Sequence, residues 1–229
     1  MAIEKINKIL KDHVADLKSR NVSKGDELVI TGVIRGKGEK GPRYLVDGYG
    51  DKEFLKMNSN SYLGMALRED IIKAEEETSK EYGVGPGAVR FISGTFKHHV
   101  SLENKLAEFH GREAGMIFSA AYVASMSVIV PLTTKETVIL SDELNHNCII
   151  NGMKLARPAA KGIYKHNDMD DLEAKIKGFI GKGKRMLVVT DGIFSMRGDH
   201  APLKELAEIC NKYDSEFEEG IISIVDDSH

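Results

Sequence analysis

Apolar residues recur along this chain at two different spacings, and the change from one to the other marks where its elements begin and end. In the opening MAIEKINKILKDHVADLKSR, Ile3, Ile6, Leu10, Val14 and Leu17 stand three or four residues apart between charges, the spacing of an amphipathic helix. The next stretch, DELVITGVIRGKGEKGPRYLVDG, reads as two extended runs about a glycine-rich turn. Within it residues 36–41, GKGEKG, carry the G-x-G-x-x-G spacing of a pyrophosphate loop. Such a loop holds an anion only where a strand leads into a helix, and here Pro42 and the extended RYLV follow. A plain hairpin loop is expected.

From residue 68 the helical spacing returns in REDIIKAEEETSKEYG, with Gly83 as its C-cap. SLENKLAEFHG follows, with Leu102, Leu106 and Phe109 on one face and Gly111 closing it. Short apolar runs then alternate with helical stretches. GMIFS precedes a helix from about Tyr122 to Leu132, and ETVILSD precedes one over HNCIINGMKLA. KGIYKH leads to DMDDLEAKIKGFIG, RMLVVTDG to APLKELAEICNKY, and IISIVDD ends the series. This alternation predicts an α/β domain with a largely parallel sheet. MLVVTD and IISIVDD are apolar at nearly every position, as strands covered on both faces are. SEFEEG, before the last run, reads as a surface loop.

Composition adds bounds. A chain of 229 residues, 41% hydrophobic, can bury a sizeable core. A formal charge of −3 gives no electrostatic case for nucleic acid or a membrane surface as partner. No stretch has the continuous apolar character of a signal peptide or a membrane span. Two cysteines far apart, Cys148 and Cys210, suit a reducing compartment, so a cytoplasmic protein is expected.

Ligands of such sheets sit beyond the carboxyl ends of the strands. That rule selects Ser119 to Tyr122, Ser141 to His146, Thr190 to Ser195 and Asp226 to His229, which the topology should gather along one rim. Small residues where GMIFS turns into a helix suit a phosphate, which the free amides and the helix dipole would hold. A carboxylate ending a buried strand, Asp226, needs a charged or multiply donating partner. Asp226, Asp227 and His229, with His146, His166 or His200, stand in no metal-ligand spacing, so no metal site is expected. RGD at 197–199 is read as a chance tripeptide. A ligand with a phosphate, an aromatic ring and a ring nitrogen kept protonated would satisfy all four segments, and pyridoxal 5'-phosphate has these features.

NSNSYLG (58–64), VRFISGT (89–95), LENKLAEFHG, SDELNHNCIING, TDGIFSM and VDDSH, in this order, resemble the α-oxoamine synthase family. The pattern is nearest to its 2-amino-3-ketobutyrate CoA ligase (glycine C-acetyltransferase) branch, with the 8-amino-7-oxononanoate synthase branch next. The resemblance implies the aspartate aminotransferase fold: a three-layer αβα large domain, here its first part, residues 58–229, preceded by a helix and hairpin segment, residues 1–57. It implies pyridoxal phosphate as cofactor. It also implies an acyltransferase condensing an amino acid with an acyl-CoA, glycine and acetyl-CoA favoured, alanine and pimeloyl-CoA the alternative. Homodimers with the site at their interface are implied as well.

Residue by residue, the resemblance places Asp226 at the pyridine nitrogen and His229 and Ser195 at the phenolic oxygen. It places His146 stacked on the ring and assisting proton movement, the amides of Ala121 and Tyr122 at the phosphate, and Asn60 near the substrate. Ala121 stands where relatives often have Gly or Cys, Ser125 where many have Asn, and Arg197 where Asp is common. The first two changes are expected to matter little if the contact runs through backbone amides. In the family the Schiff-base lysine lies a few tens of residues beyond the D-D-x-H motif. This stretch is therefore expected to be the N-terminal portion of an enzyme, inactive alone, with a catalytically dead cofactor- or partner-binding chain as the alternative.

Overall fold

A computed structural model describes residues 2–25 and 27–229, and the chain packs as two units, Met1–Gly83 and Val84–His229. In the first unit, α1 (Ala2–Ser19) follows the charged–apolar spacing of the opening stretch and leaves Ile3 and Ile9 largely exposed. Strands β1 (Ile30–Ile34) and β2 (Arg43–Val46) pair antiparallel. GKGEKG lies in the loop between them, as a hairpin should: Lys37 and Lys40 bridge, and Gly38 takes φ +60. No helix follows it, so no anion seat forms there. A 3-10 turn over Tyr62–Leu67 leads to α2 (Glu69–Tyr82), which Gly83 ends with φ +81 and an amide donated to Ser79. The boundary read from the sequence at residue 57 falls inside this unit.

The second unit opens on VRFISGT, which forms a single π turn over Arg90–Gly94. A Cβ on Gly94 would come 2.0 Å from the Ala88 carbonyl oxygen, so only glycine fits. Arg90 pairs with Glu103 of α3 (Lys97–Phe109), and that pairing holds the Glu103 carboxyl down at about 2. GMIFS is not a strand: the run meets no partner strand among the described residues, and the Ile117 amide donates to the Glu103 side chain, 3.1 Å away.

Strands β3 (Thr137–Asp142), β4 (Ala160–Tyr164), β5 (Arg185–Asp191) and β6 (Ile221–Asp226) form one parallel sheet in the order β4-β3-β5-β6. Alternation along the strands sorts their side chains between two faces. Val138, Leu140, Met186 and Val188 pack with Leu172 and Ile176 of α6 (Met169–Phe179) and Leu206 and Cys210 of α7 (Leu203–Tyr213). Ile139, Leu187 and Val189 pack on the opposite face with Ile129 of α4 (Ala121–Leu132) and Ile149 and Met153 of α5 (Asn147–Ala156). Three layers result, as the family resemblance implies, around the parallel sheet that the alternating pattern predicts.

Two expectations change. β5 is buried almost throughout, but β6, the last strand in the order β4-β3-β5-β6, is half-exposed in this stretch, with Val225 39% exposed. Nor is SEFEEG only surface: Phe217 is 3% exposed and belongs to the core of the α6–α7 face.

Candidate active site

Parallel strands all deliver their C-terminal residues to the same edge of the sheet. β5 and β6 pair in a register that sets Asp191 beside Asp226, and the Gly192 amide donates to the Asp226 carbonyl at 2.8 Å. A Cβ on Gly192 would lie 2.5 Å from the Asp227 carboxylate, so a side chain there would displace that carboxylate. Around these strand ends lies a recess lined by Ala121, Tyr122, His146, Ser195, Asp226 and His229, together with Cys148, Asp191 and Ser228. It brings together the rim residues selected from the sequence. Asn60 belongs to the first unit, exposed ahead of the 3-10 turn, and is not part of this lining.

α4 begins at this recess. Its N-cap residue, Ala120, offers no side-chain acceptor, and the first-turn amides of Ala121 and Tyr122 come too early to find an acceptor four residues back. An anion placed there would meet both the amides and the positive end of the helix dipole.

Asp226 is held from several sides. Ser125 Oγ donates to Oδ2 at 2.7 Å, the Cys148 thiol lies 3.6 Å from the same oxygen, and the Ser228 amide (3.2 Å) and hydroxyl donate to Oδ1. Burial works to raise this carboxyl, but the Ser228 and Ser125 hydroxyls, the Ser228 amide and the Cys148 thiol outweigh it, leaving it below the usual carboxylate range. It is an anion formed in advance at the floor of the recess. Ser125 thus contributes through its side chain, against the expectation that its departure from Asn matters little.

Ser125→Ala is expected to move the Asp226 carboxyl back toward the ordinary range, since one of its two hydroxyl donors is lost. Carbon-detected NMR titration of the Asp226 side chain measures this, and an unshifted midpoint would contradict it.

His146 caps α5. Its backbone N–H donates to Asp191 Oδ2 at 2.8 Å, while the Cys148 amide donates to its Nδ1 at 3.3 Å. With Nδ1 accepting, the neutral ring carries its hydrogen on Nε2. Tyr122 stands edge-on to it, ring centroids 6.2 Å apart, with its hydroxyl accepting from Asn151. Asp191 is only 6% exposed, and burial first, then the nearby Asp226 charge, push its carboxyl upward against the His146 amide. Asn145 sits beneath: its Oδ1 accepts the Asp191 amide at 2.9 Å, and its Nδ2 donates to Ser141 Oγ and the Val189 carbonyl, both at 2.8 Å. Burial also raises the Cys148 thiol, and at neutral pH the thiol is a donor.

Asn145, Asp191 and Ser228 entered the sequence reading only as members of their segments, and Cys148 not as a site residue. The available signal was position: the first three stand at or just beyond strand ends, and Cys148 two residues past a chosen segment, in the first turn of α5. Their contacts run between residues up to 78 apart in the chain, which no local pattern reveals.

Comparison with known proteins identifies the family. The family model for aminotransferase class I and II matches residues 52–229. The chain is 43% identical over 208 residues to an 8-amino-7-oxononanoate synthase of Thermoanaerobacter pseudethanolicus, covering 89% of this chain and 50% of that protein. It is 40% identical over 225 residues to the 8-amino-7-oxononanoate synthase of Fervidobacterium nodosum, covering 97% and 53%. Among solved structures, the serine palmitoyltransferase of Sphingomonas wittichii matches with a TM-score of 0.80 at 26% identity, over 96% of this chain and 51% of that one. A lysine-to-alanine variant of the serine palmitoyltransferase of S. paucimobilis, with a bound pyridoxal phosphate–myriocin aldimine, matches at 0.79 and 26%, over 97% and 52%. The chain spans about half the length of the curated relatives it matches.

Proposed function

Because the chain belongs to the aminotransferase class I and II family, and within it to the pyridoxal-phosphate-dependent α-oxoamine synthases, we propose that this stretch is the cofactor cradle of an enzyme condensing alanine with pimeloyl-CoA, releasing CoA. The observation that carries the reading is the Asp226 carboxylate, fixed by Ser125 and Ser228 beside the uncapped start of α4. The recess fits the cofactor on its own chemistry: an anion-binding helix start, a preformed carboxylate and an imidazole at its edge lie within one cavity.

When bound, pyridoxal phosphate supplies an electron sink for a carbanion at the substrate's α-carbon. In this reading Asp226 keeps the pyridine nitrogen protonated, since an anion beside it favours the charged form. The amides of Ala121 and Tyr122 hold the phosphate. His146 covers a face of the ring, its backbone fixed by Asp191 and its Nε2–H directed by the Cys148 amide at Nδ1. Ser195 and His229 hydrogen-bond the phenolic oxygen, and His146 assists proton movement at the substrate. Asn60 near the substrate and assembly as a homodimer belong to the same proposal.

The substrate pair departs from the sequence expectation. Glycine with acetyl-CoA followed from the likeness to the ligase branch, to which VRFISGT contributes, and the residues of that string here form a backbone turn: Gly94 fits against Ala88, and Arg90 pairs with Glu103. Residues that hold a turn carry little information about the substrate. The curated relatives named above support the alanine and pimeloyl-CoA alternative instead.

Titrating the purified chain with pyridoxal phosphate, followed by absorbance and fluorescence, is expected to give saturable binding; none would overturn the reading. In the whole protein, CoA release is expected at least about tenfold faster, as kcat/KM, with alanine and pimeloyl-CoA than with glycine and acetyl-CoA, about 1.4 kcal/mol of discrimination. The reverse order would restore the glycine pair.

A further inference from the structure

One partly buried histidine outside the recess ties the turn after β4 to the loop after β5, which carries Ser195. His166 Nδ1 lies 3.0 Å from Asp142 Oδ1, and its Nε2 lies 3.1 Å from Asp199 Oδ2. Its side chain is 11% exposed and that of Asp142 not at all. A neutral imidazole has one N–H and could donate to only one of these carboxylates, whereas the imidazolium donates to both. The neighbouring Asn167 amide, 3.3 Å from Nε2, is directed to the His200 carbonyl at 3.1 Å.

The charged groups around the ring are predominantly acidic. Asp142 and Glu143 come from the end of β3, Glu143 accepting the His166 backbone N–H at 3.1 Å. From the loop come Asp199 and Arg197, whose Nε lies 3.0 Å from the same Asp199 oxygen. On its own turn stand Lys165, Asp168 and, at the start of α6, Asp171, which accepts the Lys165 amide. Burial works against a charge on the ring; the two facing carboxylates outweigh it and raise the imidazole above its ordinary range.

The loop is built on these contacts. The Phe194 amide donates to the Asp199 carbonyl at 3.0 Å, Gly198 to Phe194 at 2.7 Å, and Ala201 to Gly192 at 2.9 Å. Phe194, 2% exposed, meets the His166 ring edge-on at 4.4 Å and directly precedes Ser195. RGD, read from the sequence as chance, is the tip of this loop, with Gly198 at φ +79.

We infer that His166, doubly protonated between Asp142 and Asp199, is the positioning residue that fixes loop 192–201 and so sets Ser195 at the rim of the recess. Only the purpose of placing Ser195 rests on the cofactor reading; the clamp itself does not.

The test uses the purified chain. Proton NMR of the His166 ring is expected to show a midpoint above that of a free imidazole. A histidine raised on folding stabilises below its unfolded midpoint, and the contribution is lost as pH rises through the folded one. The exchange protection of the Phe194, Gly198 and Ala201 amides, corrected for intrinsic exchange, should therefore fall as pH passes that midpoint. In His166→Gln those amides should exchange about tenfold faster below the midpoint and lose this pH dependence, with pyridoxal phosphate bound about three- to tenfold more weakly. Asp199→Asn, which keeps the side-chain shape, should lower the His166 midpoint and loosen the same amides. A neutral His166 at pH 7, unchanged exchange in His166→Gln, or an unmoved midpoint in Asp199→Asn would each overturn the inference. If the wild-type chain fails to bind the cofactor, the reading of the recess falls, while titration and exchange still decide the clamp.

Discussion

Asp226→Asn is expected to weaken pyridoxal phosphate binding by about tenfold to a hundredfold while leaving the fold in place. The amide keeps an acceptor for Ser125 or Ser228, so local packing changes little. What disappears is the charge opposite the ring nitrogen. A hydrogen bond to a charged group contributes about 1.5–3 kcal/mol, and each ~1.4 kcal/mol is a factor of ten in Kd. The variant should also change acid stability. A carboxyl lowered on folding stabilises above its unfolded midpoint, and that contribution is lost as pH falls through the folded one. Asp226→Asn should therefore flatten the fall in stability on the acid side. Fluorescence titration and urea unfolding across acid pH measure the two effects. Unchanged affinity would remove Asp226 from the cofactor's ring.

Asn145→Ala is expected to destabilise the second unit by about 2–4 kcal/mol, since each buried group left without a partner costs about 1–3 kcal/mol. Asn145 is 4% exposed and uses both ends of its amide: one accepts from the Asp191 backbone, the other donates to Ser141 and Val189. The methyl group satisfies none of these. Because Asp191 anchors the backbone of His146, cofactor affinity should fall along with stability. Chemical denaturation with the cofactor absent, then titration of the variant where it is folded, separates the two losses. A loss under 0.5 kcal/mol, the range of ordinary surface changes, would mean that water takes over the role of the amide.

Much of the architecture was legible because burial and periodicity act locally. The amphipathic spacing of REDIIKAEEETSKEYG with its closing glycine yields α2 and Gly83, and the strand–helix alternation yields the parallel sheet. The failures share a cause. GMIFS has the composition of a strand, but a strand also needs a neighbour to take its amides, and Glu103 takes that of Ile117 instead. IISIVDD has the composition of a strand covered on both faces but is half-exposed in this stretch, because what packs on a strand is not written in any one segment. Phe217 looked like part of a loop, since nothing in SEFEEG indicates that the α6–α7 core lies beneath it.

For the site, the rule that ligands gather beyond parallel strand ends selects the segments that hold His146, Ser195, Asp226 and His229, which line one recess; Ala121 and Tyr122 reach it from the start of α4, after a run that is not a strand. Chain direction accounts for the first four, because it sends every strand's last residues to the same edge. The amino-acid order therefore determined the layers, the rim and the residue types that meet there. Tertiary structure decided which of them touch: Ser125 on Asp226, Asn145 under Asp191, and His166 between two carboxylates. Hydrogen bonds form at about three ångströms between side chains whose separation along the chain is arbitrary, so they come into existence only once packing has fixed the distances.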